Sequence, residues 1–467
     1  MTAENPYLSL SEKRIIVAGA GITGLSVAAA LVGRGALVTF ADEKVGAVEG
    51  FEVKLPSEIT EDDFDLLMIS PGWREDHPLV TLARSASKPI LNEVDFAWTL
   101  KTEINPDQKW LGLTGTNGKT TTVEMLAHIL TTAGLNARAC GNVGTTVIDS
   151  VLSKAKYDFL VLELSSFQLH WLQEAQFISS AILNIADDHV DWHGSFDNYA
   201  NDKLSILDKS TTAILNGDDG EVVSRTSHWL GRKIFYSLDT PGPGELGVVE
   251  ELLVDRAFVA DAQEAALFAE IHEITPTVPH QVSNALAAAG LASTLGVKRE
   301  AIREALKTFR PGRHRIELVG EFGGIKWIDD SKATNPHAAT ASILSNFSVV
   351  WIAGGIAKGA AMDPLVDRVW NRLKAAILIG EDRALIANAL ARVAPDLPVY
   401  LIDTPAGYSK GGTSNEFMES IVAKASEVAN AGDTVLLAPA CASMDQFNSY
   451  TDRGDRFAAA VKGANSK

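Results

Sequence analysis

The sequence predicts an α/β fold with mostly parallel sheets. Short apolar segments of strand length alternate with helical stretches along the chain, as is typical of parallel strands joined by crossover helices. Two glycine-rich turns, Gly19–Gly24 and Gly115–Gly118, each stand between a predicted strand and a predicted helix. A length of 467 residues exceeds what one hydrophobic core usually serves and indicates two or three domains.

Composition narrows the class of protein. Hydrophobic residues make up 46% and charged residues 21% of the chain, as in ordinary globular proteins. The formal net charge of −18 argues against a nucleic-acid-binding surface, which requires a basic patch. Cys140 and Cys441 are too far apart for a metal-type spacing and favour a reducing compartment. We find no signal-peptide pattern and no apolar run of membrane-span length, and therefore expect a cytoplasmic protein.

The first block of the chain begins with apolar segments that predict parallel strands at Lys13–Ala18, Ala36–Ala41 and Phe64–Ile69. The turn Gly19–Gly24 and an alanine-rich helix ending near Gly33 follow the first segment. The second segment ends at Asp42, and the third stops at Ser70–Gly72. Strand, glycine-rich turn, helix and strand in this order predict a Rossmann-like domain.

The glycine spacing Gly19-x-Gly21-x-x-Gly24, with Asp42 after the next strand, fits the dinucleotide fingerprint. Its physical content is less specific, because three glycines let a helix N-terminus approach any diphosphate, including that of a nucleotide sugar. Asp42 can accept a hydrogen bond from any ribose or cap the strand end. An NAD-dependent oxidoreductase remains a distant alternative, because no hydride-transfer residues are evident and a separate ATP motif follows.

A polar stretch with a proline, Thr102–Asp107, is predicted to be a linker, and the second block begins at Lys109. The strand Trp110–Leu113 is followed by Gly115-Thr116-Asn117-Gly118-Lys119-Thr120 and by a predicted helix over Thr121–Ala133. This is phosphate-binding geometry, in which backbone N–H groups and the positive helix end face an anion. We expect Lys119 to contact the terminal phosphates and Thr120 to ligate Mg²⁺.

The match to the general P-loop pattern is imperfect, because the strict form has glycine where Leu113 stands. The alternative is an ordinary turn between strand and helix. That alternative does not explain why a lysine and two threonines follow Gly118. The motif therefore predicts that the protein consumes ATP.

Two further strand ends of this block carry candidate metal ligands. The predicted strand Tyr157–Leu164 contains Glu163 at its end, where a P-loop domain commonly holds Mg²⁺; a solvent-facing glutamate is the alternative. The predicted strand Ser180–Ile185 is followed by a run of acids and imidazoles: Asp187, Asp188, His189, Asp191 and His193. His189 is the favoured second metal position, and a zinc site made by His189, Asp191 and His193 is the alternative.

After an alanine-rich helix over Gln281–Leu295 and the turn Arg310–Gly312, a third block predicts five more strands: Ile325–Ile328, Ser348–Ala353, Ala376–Ile379, Val399–Ile402 and Thr434–Leu437. Three of them lead into polar or glycine-rich segments, at Asp330–Pro336, Gly354–Gly359 and Pro439–Phe447. Because ligands of open α/β sheets bind at the carboxyl ends of strands, these segments predict a binding rim. Its lysines suit carboxylates or phosphates.

Together these motifs resemble the Mur ligases, ATP-dependent amide-forming enzymes of peptidoglycan synthesis. The most specific segments are TGTNGKTT, LELSSFQL, the run LN…DH…D, DDSKATNP and PACASMDQF…RG. The last two resemble most closely the member that adds D-glutamate. The resemblance implies a Rossmann-like domain over 1–105 for a UDP-sugar, a P-loop domain over 106–310 for ATP, and a Rossmann-like domain over 311–467 for the incoming amino acid.

The resemblance also implies site residues. For the UDP substrate it indicates Ile22, Thr23, Asp42, Glu43, Lys44, Ser70, Pro71, Gly72 and Asn142. For ATP it indicates Gly115, Thr116, Asn117, Gly118, Lys119, Thr120 and Thr121, with Asn284, Arg315, Asp330 and Lys332. For D-glutamate it indicates Thr334, Lys358, Ser443 and Tyr450. The implied metal ligands are Thr120, Glu163, His189 and Lys203, and the implied catalytic residues are Lys119, Glu163, His189 and Lys203.

Lys203 matches the carbamylated lysine of the family. A carbamate supplies hard anionic oxygens of the kind that Mg²⁺ prefers, whereas an ammonium group would be repelled; an exposed helical lysine is the alternative. The sequence departs from the family pattern at Gln281, Ala438 and Tyr450, where asparagine, serine and phenylalanine are expected. These departures weaken individual sites and leave the function intact.

The resemblance implies an ATP-dependent acid–D-amino-acid ligase that joins D-glutamate to UDP-N-acetylmuramoyl-L-alanine, with ATP and two Mg²⁺ ions, acting as a monomer. The alternatives within the class are a sibling Mur ligase or a folylpolyglutamate synthase that adds a different amino acid. A non-catalytic nucleotide-binding regulator and the NAD-dependent oxidoreductase are alternatives from other classes.

Overall fold

The computed structural model describes residues 10–261, 263–410 and 412–466. The strands form three separate sheets of five, nine and six strands, which confirms the predicted α/β class. By density of contacts the described chain divides into two compact units. The first comprises 10–185, 192–277 and 281–309, and the second comprises 186–191, 278–280 and 310–466. The first two sheets belong to the first unit and the third sheet to the second.

The first sheet is wholly parallel, with the strand order β3-β2-β1-β4-β5. Its strands are β1 Arg14–Ala18, β2 Leu37–Ala41, β3 Glu52–Lys54, β4 Leu66–Ile69 and β5 Ile90–Asn92, and its helices are α1 Ile22–Val32, α2 Pro78–Ser85 and α3 Glu93–Ile104. The chain proceeds from β1 to one side and returns to β4 on the other. The carboxyl ends of β1 and β4 therefore form a switch point, where ligands of such sheets bind.

The second sheet has the order β14-β13-β12-β11-β10-β9-β6-β8-β7. Its strands are β6 Lys109–Thr114, β7 Ala137–Gly141, β8 Phe159–Glu163, β9 Ser179–Ile182, β10 Thr212–Asn216, β11 Arg232–Tyr236, β12 Leu246–Val249, β13 Leu252–Asp255 and β14 Ala266–Glu270. Its helices are α4 Lys119–Thr132, α5 Val147–Val151, α6 Ser166–Trp171, α7 Val190–His193, α8 Phe196–Leu204, α9 Gly220–Thr226, α10 Pro279–Thr294 and α11 Arg299–Thr308. β8 and β9 flank β6, so the chain switches sides next to the predicted phosphate turn.

Both faces of this sheet are covered. Trp110 and Leu111 are neighbours on β6, and each is buried in a different hydrophobic cluster. Successive side chains of a strand point to opposite faces, so the two clusters lie on the two sides of the sheet. Burial on both faces is what favours near-continuous apolar strands and parallel pairing.

The third sheet has the order β15-β16-β20-β17-β18-β19, with β15 antiparallel to β16. Its strands are β15 Glu317–Phe322, β16 Ile325–Asp329, β17 Val349–Gly354, β18 Leu373–Ile379, β19 Val399–Leu401 and β20 Thr434–Leu437, and its helices are α12 Pro336–Leu344, α13 Asp363–Val369, α14 Arg383–Val393, α15 Glu416–Val428 and α16 Tyr450–Ala464. The late strand β20 inserts between β16 and β17. The three predicted polar exits therefore follow three adjacent strands.

Two interpretations of the sequence are corrected. The predicted linker Thr102–Asp107 is wrong in its first half, because Thr102–Ile104 complete α3. The Lys101 ammonium donates to the Pro106 carbonyl at 2.7 Å and so holds the segment after α3 against the end of that helix. Pro106 therefore lies beyond the C-terminus of α3. Nine strands were missed: the antiparallel β12, β13 and β14 in a stretch with weak patterning, and also β3, β5, β7, β10, β11 and β15.

Among the described residues, none of the helices combines the length and the apolar character required to cross a bilayer.

Candidate active site

The turn between β6 and α4 has the predicted phosphate-binding form. Gly118 caps α4 with a left-handed φ of +82°, and a Cβ there would lie 2.5 Å from Asn284 Oδ1, so a side chain at this position would be strained and would displace Asn284. Asn184, after β9, accepts the Asn117 N–H at Oδ1 (2.7 Å) and the Thr116 N–H at its carbonyl (3.0 Å). The turn is thus held in place by the neighbouring strand exit. Asn284 lies next to Gly118, and its role in ATP binding stays a prediction.

Lys119 extends back over this turn. Its ammonium donates to the carbonyls of Gly115 at 2.8 Å and Thr116 at 2.9 Å. The Thr116 hydroxyl lies 2.8 Å from the Tyr199 hydroxyl of α8. The positive charge of Lys119 is therefore centred on the segment predicted to hold phosphates, as its proposed role requires.

Glu163 ends β8 directly beside the phosphate turn. It is paired in register with Leu113 of β6, and only 2% of its surface is exposed, so the alternative of a solvent-facing glutamate is wrong. Oε1 accepts a hydrogen bond from Asn142 Nδ2 at 3.0 Å, whereas Oε2 is buried without a hydrogen-bond partner among the described residues. A buried carboxylate oxygen with no donor fits a hard cation such as Mg²⁺.

Lys203 lies on α8 with 2% of its surface exposed, so the alternative of an exposed helical lysine is also wrong. Its ammonium donates to the Gly115 carbonyl at 2.9 Å and lies 4.7 Å from the centre of the Tyr199 ring. Tyr199 and Lys203 are one helical turn apart, so the same face of α8 presents both to the phosphate turn. A modification of Lys203 would occur next to the predicted phosphate site.

Asp202, next to Lys203 on α8, is a carboxylate bound by two imidazoles. Asp202 accepts the Nδ1 hydrogen bonds of His170 at 3.0 Å and His193 at 2.8 Å, and His193 Nε2 lies 2.9 Å from the Ser166 hydroxyl. Burial acts to lower the pKa of His170, but the bond to Asp202 and the charges of Asp202 and Glu75 outweigh it and raise that pKa. Both nitrogens of His193 are engaged, so the zinc alternative loses one of its three ligands.

His189, the predicted second metal position, belongs to the second unit. Its backbone has a left-handed φ of +54°, which is uncommon for a residue other than glycine. Its N–H donates to Asp188 Oδ1 at 3.1 Å, and Nε2 lies 3.6 Å from Asp188 Oδ2. A strained backbone at a histidine is typical of a functional position, and the metal role of His189 remains a prediction.

The predicted UDP-binding residues follow strands β1, β2 and β4 of the first sheet, except Asn142, which follows β7 of the second sheet and donates to Glu163. A Cβ on Gly24 would lie 1.9 Å from the Gly19 carbonyl, and a Cβ on Gly19 would lie 3.0 Å from Ser70 Oγ. Glycine at both positions therefore lets the α1 turn approach β1 and the β4 exit closely. Ile22, at the start of α1, is 78% exposed, so an apolar side chain is open to a ligand next to Ser70-Pro71-Gly72.

Asp42 organises the same region. Oδ2 accepts the Ala20 N–H at 2.8 Å, and Oδ1 accepts the N–H groups of Lys44 at 2.8 Å and Val45 at 2.9 Å. Burial acts to raise the pKa of Asp42, but these three backbone bonds outweigh it and lower the pKa. The carboxylate thus joins the glycine-rich turn to the segment that carries Glu43 and Lys44.

The third sheet brings its polar exits together as predicted. Asp330 and Lys332 follow β16, and the Lys332 ammonium lies 4.2 Å from the centre of the Tyr450 ring. An antiparallel bridge joins Ile356, after β17, to Ala442, after β20. Burial raises the pKa of Asp330 to about 7. This rim contains all four predicted amino-acid contacts, namely Thr334, Lys358, Ser443 and Tyr450.

The sequence analysis missed Arg453, which holds this rim from within. Its guanidinium is completely buried and donates to Ser331 Oγ and Ser331 O at 3.0 Å, to the Cys441 carbonyl at 3.2 Å and to the Gly354 carbonyl at 3.4 Å. One side chain thus joins the exits of β16, β20 and β17. The final arginine of the segment PACASMDQF…RG was the available indication, although spacing alone did not give it a partner.

Arg315 is a predicted nucleotide contact, and Gln281 stands where the family pattern has an asparagine. Gln281, which departs from the family pattern, is buried, and its Nε2 has no hydrogen-bond partner among the described residues. A donor left unpaired there fits the acceptor edge of a base. Arg315 lies beside His314, which pairs through Nδ1 with the buried Asp329 at 2.7 Å. Of the groups that could hold a metal among residues 10–261, 263–410 and 412–466, one was found: His314, Glu317 and Asp329.

Comparison with known proteins identifies the class. The family model of the Mur ligase middle domain matches residues 113–292, and that of the Mur ligase glutamate ligase domain matches residues 314–441. The chain belongs to the Mur ligase family.

The curated relatives point to one branch of that family. A protein of Streptomyces avermitilis is 46% identical over 97% of this chain and 98% of its own length. A protein of Thermobifida fusca is 43% identical over 97% of this chain and 99% of its own length. Both are named UDP-N-acetylmuramoylalanine–D-glutamate ligase.

Solved structures agree on the fold. A pseudomurein peptide ligase type C from Methanothermus fervidus superposes with a TM-score of 0.61 at 20% identity, covering 97% of this chain and 100% of its own. The UDP-N-acetylmuramate-alanine ligase MurC from Thermotoga maritima gives a TM-score of 0.58 at 20% identity, with the same coverage. The α/β architecture derived from the sequence is therefore that of Mur ligases.

Proposed function

We infer that this chain is an ATP-dependent ligase that joins D-glutamate to UDP-N-acetylmuramoyl-L-alanine in peptidoglycan precursor synthesis. The observation that carries the inference is that the Gly115–Thr120 turn, Glu163 and Lys203 lie together at the carboxyl ends of β6 and β8 in the second sheet. It combines a phosphate-binding turn with a buried carboxylate oxygen that lacks a donor. The relatives that match nearly the whole chain carry the name of this activity.

The chemistry explains why ATP is needed. A carboxylate is a poor acyl donor, because its leaving group would be oxide. An oxygen of the L-alanyl carboxylate attacks the γ-phosphorus of ATP as the bond to ADP breaks, which gives an acyl-phosphate. The D-glutamate amine then adds to the acyl carbon, and the tetrahedral intermediate loses phosphate and a proton to leave the amide.

The residues of the turn support the first step. Lys119 places a positive charge at the predicted site of the terminal phosphates, and the N-terminus of α4 faces the same space. We propose that Thr120, Glu163, His189 and a carbamylated Lys203 hold two Mg²⁺ ions. Bound Mg²⁺ would neutralise charge on the transferred phosphoryl group.

We propose that the rim of the third sheet binds the incoming amino acid. Lys358 is exposed beside Gly359 and has a left-handed φ of +52°, so its ammonium is open to a carboxylate. Ser443 follows β20 and is 97% buried, and Tyr450 lies beneath the Lys332 ammonium. The exposed ammonium of Lys358 suits a carboxylate of D-glutamate.

Phosphate release from ATP tests the function. We expect release with Mg²⁺ to require both UDP-N-acetylmuramoyl-L-alanine and D-glutamate, and mass spectrometry to find the amide product. Release with a different amino acid would indicate a sibling ligase or a folylpolyglutamate synthase. An absorbance change of NADH without phosphate release would favour the oxidoreductase, and no reaction in protein that binds ATP would favour a regulator.

A lysine pair sharpens this test. Lys119→Ala should abolish phosphate release while calorimetry still detects binding of UDP-N-acetylmuramoyl-L-alanine, because the first sheet binds the UDP part separately. Lys154→Ala removes an exposed lysine from the turn before β8 and should leave both readouts unchanged. Loss of UDP-substrate binding in Lys119→Ala would contradict the separation of the two sites.

We further propose domain borders after residues 105 and 310 and a monomer that acts in the cytoplasm. The division of contacts at Arg310 supports the second border. Light scattering during gel filtration tests the monomer, for which we expect the chain mass of 49.9 kDa. A mass of twice that value would contradict it.

A further inference from the structure

The segment Thr404–Lys410, which we call the strap, connects β19 to α15 without a helix or a strand. The polar, glycine-rich sequence of Thr404–Asn415 predicts a mobile surface loop, yet the side chains of the strap bind one other segment repeatedly. The Tyr408 hydroxyl donates to the Gln446 carbonyl at 2.8 Å, and Lys410 Nζ donates to the Met444 carbonyl at 2.9 Å. In the opposite direction, Gln446 Nε2 donates to Thr404 Oγ1 at 2.6 Å.

These bonds converge on the turn that follows β20. The Ser443 carbonyl accepts the N–H groups of Gln446 at 3.2 Å and Phe447 at 2.8 Å, so Ser443–Phe447 form one tight turn. On another side, Asp445 Oδ2 accepts the Glu381 N–H at 2.9 Å. The strap therefore adds three side-chain hydrogen bonds to the turn that presents Ser443.

Tyr408 is the anchor of the strap. Its ring packs against Phe417 of α15 at 5.2 Å between ring centres, and Phe417 in turn stacks on Phe447 of the turn at 6.1 Å. Burial raises the pKa of Tyr408, which keeps its hydroxyl protonated as a donor. The Tyr408 ring fixes the position of the strap, and the Tyr408 hydroxyl holds the backbone of the turn to the strap through its bond to the Gln446 carbonyl.

We propose that the strap, through the Tyr408 hydroxyl, is a positioning element that sets the affinity for the incoming amino acid. The proposal rests on the proposed function, because Ser443 is a predicted contact of that substrate. Loss of one bond lets the turn sample positions in which Ser443 is misplaced. Among the described residues, the strap makes no hydrogen bond to the β16 exit with Asp330 and Lys332, so nucleotide affinity is not expected to change.

Tyr408→Phe tests this with the least disturbance, because it removes one oxygen and keeps the ring on Phe417. We expect the KM for D-glutamate to rise about threefold to tenfold, the range that one net hydrogen bond supports. The KM values for ATP and for UDP-N-acetylmuramoyl-L-alanine and the kcat should stay unchanged. Tyr400→Phe, on β19 beneath Lys424, is the matched control and should change nothing.

Thr404→Val provides a second variant, because it removes the acceptor of the Gln446 side chain and keeps the shape of the residue. It should raise the same KM, and the double variant should raise it further. An unchanged KM for D-glutamate in both variants would overturn the proposal, and so would an equal rise in all three KM values. If the wild-type protein uses a different amino acid, the proposed function is wrong, and the strap proposal is tested on the KM for that amino acid. If the protein shows no turnover, both the proposed function and the strap proposal are overturned.

Discussion

A carboxylate oxygen without a donor is costly to bury, and Glu163 holds one beside the phosphate turn. Its other oxygen has the Asn142 amide as its donor at 3.0 Å. The arrangement orients the carboxylate and leaves one oxygen for a cation. An apolar residue at the end of this strand would pack at lower cost, so we infer that Glu163 is there for a function.

Glu163→Gln tests whether this function is to bind a metal ion. Glutamine keeps an oxygen for the Asn142 bond and removes the negative charge, so we expect kcat for phosphate release to fall about 100-fold or more and the Mg²⁺ requirement to rise. Steady-state assays over a range of Mg²⁺ concentrations measure both. Glu174→Gln changes an exposed glutamate of the same domain and should have no effect. An unchanged kcat in Glu163→Gln would exclude the metal role.

The buried guanidinium of Arg453 gives a second prediction at this scale. Burial lowers its pKa to about 10, so it stays charged at neutral pH and depends on the carbonyls around it. Arg453→Lys keeps the charge and loses the planar fork that reaches Ser331, Cys441 and Gly354. The free energy of unfolding should fall by about 3 kcal/mol in urea titrations.

The control for Arg453 is Arg368→Lys on α13, where the side chain is exposed and the same change should cost under about 0.5 kcal/mol. A loss as small as that in Arg453→Lys would mean that the three strand exits hold each other without the guanidinium.

At the scale of elements, the start of α1 depends on how closely a helix can approach a strand. A Cβ on Gly24 would lie 1.9 Å from the Gly19 carbonyl, so Gly24→Ala must move the helix away from β1. We expect calorimetry to find at least tenfold weaker binding of UDP-N-acetylmuramoyl-L-alanine. The free energy of unfolding should fall by about 1–3 kcal/mol, as is typical of overpacking.

The same helix offers the control. A Cβ on Gly33, at the other end of α1, would lie 3.5 Å from the nearest atoms, which is an ordinary contact. Gly33→Ala should therefore bind the UDP substrate as the wild type does. Equal affinities in Gly24→Ala and wild type would show that the turn does not contact the substrate.

Elements with strong patterns were predicted well from the sequence. The strand Thr434–Leu437 has the predicted bounds, and the predicted Trp110–Leu113 lies within β6. The antiparallel strands β12 to β14 were missed, because their stability comes from pairing with each other at the sheet edge. The apolar pattern within each of them is too short to distinguish it from a loop.

At the scale of the whole molecule, Glu93 couples stability to pH. Burial raises its pKa from 4.5 to about 7, although Oε1 accepts the Ile148 N–H at 2.8 Å. The folded state therefore binds a proton that the unfolded state releases. The stability that this proton contributes is complete below about pH 4 and is lost as the pH rises through about 7.

Glu93→Gln should remove this dependence and keep the bond to Ile148. We subtract the free energy of unfolding of the wild type from that of the variant at each pH. This difference should rise by about 3 kcal/mol between about pH 4 and about pH 8. Urea unfolding across that range measures the gain, and Glu61→Gln, an exposed glutamate of the first sheet's domain, should show none. Parallel pH profiles for wild type and Glu93→Gln would contradict the buried-proton account.

The sequence by itself determined the class of fold, the phosphate turn and the gathering of polar strand exits. Each of these is encoded locally: Gly118 and Lys119 lie within one short segment, and parallel strands necessarily bring their carboxyl ends to one edge. Only the tertiary structure decided that Lys203 is buried, that Glu163 keeps one oxygen unpaired and that Tyr408 holds the Ser443 turn. Burial and hydrogen bonding join residues far apart in the chain, and no local pattern specifies which partners will meet.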